Sequence, residues 1–171
     1  MGKKTMKNNT KAKTLYLTRG AMIAALYVAI TWLCSLIGLS SGVIQFRISE
    51  AMCILPVFFP EAVPALFIGC MISNLIAGGL IWDVIFGAIA TLIGAVGARL
   101  LRKLPPGHAW LTTLPTVLAN TVIVPLVLIY AYGAEEAFLF IALTVFIGET
   151  VCAGVGGTLL YPLIKRLRIS K

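Results

Sequence analysis

Glu149 is a carboxylate in the middle of a long apolar run, flanked only by Gly148 and Thr150. A charge at the centre of a membrane helix costs at least about 2.5 kcal/mol. Such a group either ties helices together as a neutral acid or is kept to grip a ligand. Asn120 and Asn74 sit in two other apolar runs. Each amide brings two donors and an acceptor, which serve a ligand or interhelical contacts equally well. Asp83 opens a further run, where it can complement a helix N-terminus or face a ligand. Gln45, Arg47 and Glu50 gather where a loop meets the next apolar stretch. Arg47 and Glu50, three residues apart, can pair on one helix face; alternatively the loop folds over an outward-facing cavity and supplies polar contacts. Trp82, Phe86, Tyr130 and Tyr132 are candidates to line such a cavity, although Trp and Tyr also anchor helices at membrane interfaces.

Other chemistries find little material. His108 stands alone in a Pro-Pro-Gly-His turn. Cys34, Cys53, Cys70 and Cys152 lie within apolar stretches without CxxC spacing, which reads as buried hydrophobes rather than disulfides or metal ligands. There is no GxxxxGK[ST], HExxH or GxSxG, so the sequence points to no enzyme and no cofactor. The net charge of +8 is gathered in clusters beside apolar spans, the pattern of a topology signal rather than of a nucleic-acid surface.

The elements that position these residues follow from composition. In 171 residues, 60% are hydrophobic and 12% charged, too little polar material to coat a soluble domain of this size. The chain is therefore predicted to be an all-α integral membrane protein. A basic tail over 1–13 precedes helices at about 14–37, 48–59, 61–78, 82–103, 111–131 and 136–165, with a second basic tail at 166–171. The helix at 48–59 is short and flanked by Pro56 and Pro60. The stretch from Gly38 to Arg47 combines turn formers with a β-prone segment and is expected to form a cap. No cleavable signal peptide is expected, because the first span is too long for an h-region.

Six spans place both termini on one side. All Lys and Arg except Arg47 then share the cytoplasm, while Glu50, Asp83, Glu135 and Glu136 lie at or near the outer side. In the first helix, Ala21, Ala25 and Ala29 form a smooth ridge beside Gly20 and Ala24. Small-xxx-small faces admit a close helix, either from within the bundle or from a partner.

The run from Ile44 through Gln45-Phe46-Arg47-Ile48-Ser49-Glu50-Ala51 to Pro56, with Phe59-Pro60, Gly69-Cys70, Asn74 and Asp83-Val-Ile-Phe-Gly87, resembles the queuosine-precursor transporter (QueT) family. That family belongs to the substrate-binding S-components of energy-coupling-factor transporters. The resemblance covers about 15–165. It implies capture of a 7-deazaguanine at the outer side, with a membrane coupling protein and two cytoplasmic ATPases as partners. It also carries partner docking onto Ala21 and Ala25, with Ala24 as neighbour. For the ligand, Glu149 is expected to accept from the ring N–H and exocyclic amine, and Asn120 or Asn74 to read the carbonyl. Glu50 or Asp83 is expected to meet an ammonium, and Phe46 or Trp82 to stack on the base. The competing readings are an S-component for a different vitamin and an ion-coupled carrier.

Overall fold

The computed structural model describes residues 2–38 and 46–169. The expected cap, with Gln45, falls at 39–45, outside the described residues. The described residues are mostly helical, with no strand among them. The helices are α1 (Gly2–Leu36), a 3-10 helix (Ile48–Val57), α2 (Ala62–Ile76), α3 (Ile81–Leu100), α4 (Leu114–Tyr130), α5 (Phe138–Glu149) and α6 (Gly157–Ile169), the last two joined through a π-helical stretch, Thr150–Gly156.

Four rods are long and apolar enough to cross a membrane: Thr10–Leu36, Ile81–Lys103, Pro106–Tyr130 and Phe138–Leu167. Ile48–Val57 and Ala62–Ile76 are shorter apolar helices. At a rise of about 1.5 Å per residue, α2 is roughly 22 Å long and falls short of a hydrocarbon core of about 30 Å. Where six spans are expected, the described residues hold four full-length rods and two shorter apolar helices. A further difference is at the start, because α1 begins at Gly2 rather than near residue 14. Residues 3–19 contain no Pro or Gly, so nothing interrupts the helix between the basic segment and the apolar run.

Neighbours in the sequence pack side by side, α1 on α2, α2 on α3, α3 on α4 and α4 on α5. The 3-10 helix touches α1, α2, α3, α6 and the π stretch, which makes it the hub of the bundle. Irregular backbone survives at membrane depth only inside protein, and here every residue of the 3-10 helix except Ile48 and Leu55 is buried. Pro56 denies the helix an N–H. Beyond it, Arg99 Nη1 donates to the carbonyls of Pro56 (3.1 Å) and Val57 (3.4 Å), closing that end.

Bare backbone sets the closest approaches. A Cβ on Gly156 would lie 3.1 Å from Ala51 Cβ, and one on Gly157 would lie 3.4 Å from Ala51 O. The π stretch therefore lies directly on the 3-10 helix. At the α3–α4 contact, a Cβ on Gly94 would sit 2.3 Å from Thr116 Oγ1 and 2.7 Å from Thr116 Cα. Backbone atoms cannot swing aside, so Gly94→Ala must push α4 away. We expect this variant to be destabilised by about 1–3 kcal/mol, read as a lower melting temperature in detergent; an unchanged value would refute the contact.

Candidate functional site

Polar residues buried in the bundle form a column along the inner face of α3. Asp83, Gly87 and Thr91 recur every four residues and so share that face. Gly87 has no side chain to fill the space, and an added Cβ would lie 2.9 Å from Asn74 Nδ2 and 3.8 Å from Arg47 Nη1. The gap lets two large polar side chains reach α3.

Arg47, immediately before the 3-10 helix, is buried at 7% exposure. Its Nη2 donates to Asn74 Oδ1 at 3.1 Å and lies 4.0 Å from Asp83 Oδ2. Asn74 in turn donates through Nδ2 to the Asp83 carbonyl at 3.1 Å, and its own carbonyl accepts from Gly79 N at 2.9 Å where α2 ends and Gly78 turns the chain at φ +76°. Asp83 makes no side-chain cap. Its place in the first turn of α3 still suits the helix dipole.

One turn deeper, Glu50 is fully buried. Its Oε1 accepts from the Tyr27 hydroxyl, with Thr91 Oγ1 at 3.3 Å, and its Oε2 accepts from the Cys53 thiol at 3.0 Å. Thr31 Oγ1 adds a link from α1 to Ser49 Oγ at 2.7 Å. The Arg47–Glu50 pair, one of the two readings open from the sequence, is not formed: Arg47 turns to α2 and α3, and Glu50 turns to α1 and Thr91. A 3-10 helix advances three residues per turn, yet each side chain finds a better partner on a different neighbouring helix.

Glu149 ends α5 where the π stretch begins, at 6% exposure. Glu50 and Arg47 are within electrostatic reach of it, and Asn120 of α4 stands close enough to act on its carboxylate as a donor, though outside ordinary hydrogen-bond geometry. π-Helical turns are frequent at functional sites because they re-aim side chains. Among the described residues, the buried polar side-chain atoms left without a hydrogen-bond partner are Arg47 Nε and Nη1, Thr116 Oγ1, both amide atoms of Asn120, and Glu149 Oε2. Leaving such an atom unpaired costs about 1–3 kcal/mol. Their concentration around Arg47, Asn120 and Glu149 is the chemical signature of this region. Asn74 and Glu50, by contrast, have their side-chain polar atoms partnered within the protein.

Trp82 and Phe86 lie on another face of α3, stacked at 6.0 Å. With Ile89, Ile123, Val127 and Tyr130 they line an apolar cavity of about 650 Å³ between α3 and α4. Arg47, Asn120 and Glu149 are not among its lining residues. Tyr132 instead accepts a hydrogen bond from Leu80 N at 3.0 Å. Phe46 is half-buried beside Arg47. On α1, Ala21 and Ala25 are exposed and Ala24 is half-buried.

Sequence reasoning gave no role to Tyr27, Thr31 or Glu61, and quoted Ser49 only as part of a motif. The signal for the first two was present, since Ile23, Tyr27, Thr31 and Cys34 recur at helical spacing and all are buried. Thr91 continues the Asp83–Gly87 register. Glu61 is buried at the far end of the bundle, 3.7 Å from Arg19, whose guanidinium also lies over the Phe59 ring at 5.6 Å.

Residues 17–166 match the family model described as QueT transporter. The chain is also 31% identical over 169 residues to the "Queuosine precursor transporter QueT" of Lactococcus lactis subsp. cremoris (strain MG1363), a match covering 94% of this chain and 99% of that relative. No solved structure matches the chain.

Proposed function

Because the chain belongs to the QueT transporter family, we propose that it is the substrate-binding S-component of an energy-coupling-factor importer, capturing a 7-deazaguanine queuosine precursor at the outer side of the membrane. The observation that carries this reading is the set of unpartnered buried groups on Glu149, Asn120 and Arg47. A carboxylate can accept from the ring N–H and the exocyclic amine of a guanine-like face together, a charge-assisted pair of bonds. Glu149 takes that role, with Asn120 beside it.

In this reading all six apolar elements cross or enter the bilayer, and both basic ends lie in the cytoplasm. Arg99, Arg102 and Lys103 close α3 on that side. Energy comes from a membrane coupling protein and two ATPases. This fits a chain without a phosphate-binding loop.

The test is direct. Purified protein in nanodiscs should bind 7-aminomethyl-7-deazaguanine saturably, and a panel of flavin, thiamin and unmodified guanine should compete poorly. Cells dependent on this importer should lose uptake when the ATPases are inactivated, and keep it when the proton gradient is dissipated at constant ATP. Strong competition by another vitamin would overturn the substrate assignment, and uptake that fails with the gradient would overturn the coupling assignment in favour of an ion-driven carrier.

A further inference from the structure

Of the two asparagines expected to read a ligand carbonyl, Asn74 is not free to do so. Its oxygen accepts from Arg47 Nη2 and its nitrogen donates to the Asp83 carbonyl, in room that a side chain at position 87 would fill. What these contacts achieve is to hold a buried guanidinium. Arg47 is fixed by one nitrogen only, while Nε and Nη1 have no partner. Its counter-charge, Asp83, stands at the far limit of an ion pair, 4.0 Å away and partly exposed. A buried cation so incompletely paired is costly unless an acceptor arrives. The groups within reach on the inner side are Glu50, whose oxygens are taken by Tyr27, Thr91 and Cys53, and Glu149.

We infer that Arg47 is the specificity-determining donor to the carbonyl oxygen of the bound base, and that Asn74, seated against Gly87, is the positioning residue that aims it. The inference rests on the deazaguanine reading given above and assigns one edge of that ligand. Glu149 accepts from the donor side of the base while Arg47 donates to its acceptor side. A ligand bearing only one of the two edges leaves a buried charge unmet. This is how a polar site rejects a near-isostere.

The test compares two ligands and four proteins. The ligands are 7-aminomethyl-7-deazaguanine and its 6-thio analogue, which keeps the ring N–H and the exocyclic amine but offers a weak sulfur acceptor in place of the carbonyl oxygen. Wild type should prefer the first by on the order of 10- to 100-fold, the range of a hydrogen bond to a charged group. Arg47→Met should bind both about equally, and Asn74→Ala should lose most of the preference. Asn74→Asp, which keeps an acceptor for Nη2 but no donor for the Asp83 carbonyl, should restore it in part. A merely structural loss would weaken both ligands alike and leave the ratio intact. If Arg47→Met retains the wild-type ratio, or wild type shows no preference while still binding deazaguanine, the assignment of Arg47 falls and the substrate reading stands. Absence of any deazaguanine binding by wild type overturns both. Should Arg47→Met fail to fold, the ratio in Asn74→Ala decides in the same way.

Discussion

Glu149→Gln is expected to weaken deazaguanine binding by on the order of 10- to 100-fold while the ligand-free protein melts at the same temperature or higher. The two effects have opposite signs for one reason. Glu149 is buried beside a second buried acid, Glu50, and Arg47 is the cation that acts on it among the described residues. Its Oε2 has no partner. In the empty protein this carboxylate carries desolvation and repulsion from Glu50, and its neutral amide isostere is spared both. With ligand bound, the same carboxylate makes charge-assisted bonds that an amide cannot make to two donors. Stability held back for function is the usual signature of a binding site. Titration of both proteins with the deazaguanine, alongside thermal unfolding without it, reads the two signs separately. A variant that loses stability and affinity together would make Glu149 a tie between helices, and one that loses neither would remove it from the site.

The contrast between Glu149 and Asn74 shows where reading from the sequence reached and where it stopped. Apolar length and the Gly, Pro and charge breaks located the rods to within a few residues, because those signals are local. Asp83, Gly87 and Asn74 were legible as a motif, and Glu149 and Asn120 as polar residues that lipid would not tolerate unexplained. What each of them touches was not legible. Asn74 meets Arg47 across 27 positions of chain and Tyr27 meets Glu50 across 23, and no periodicity within one helix reports the face of another. The same holds for helix type. Pro56, and the glycines at 154, 156 and 157, hint at irregular backbone, but it is the packing of Gly156 on Ala51 that sets a 3-10 helix against a π stretch. The uninterrupted start of α1 at Gly2 has a different reason: charge alone does not end a helix, and a basic segment without Gly or Pro continues one.

Ala25→Trp should abolish association with the membrane coupling protein, and with it uptake, while leaving ligand capture intact. The reasoning comes from the two sides of α1. Ile23, Tyr27, Thr31 and Cys34 face inward and are buried, and Tyr27 and Thr31 hold Glu50 and Ser49. Ala21, Ala25 and Ala29 face outward and are exposed, a smooth strip on which another helix can lie at close range. A Trp in that strip holds the partner off without touching the inner face. Its two sequence neighbours supply the controls. Ala24 points towards α2, where a Cβ on Gly69 would already stand 3.2 Å from its carbonyl oxygen, so Ala24→Trp should separate α1 from α2 and lower the melting temperature of the protein itself. Leu26 is exposed and already large, so Leu26→Trp should preserve folding, ligand binding and the complex. Three consecutive residues thus carry three different outcomes, read by thermal unfolding, ligand titration and copurification of the complex. Retention of the complex by Ala25→Trp would dismiss the ridge as a docking face, and loss of ligand binding in that variant would return α1 to a purely internal role.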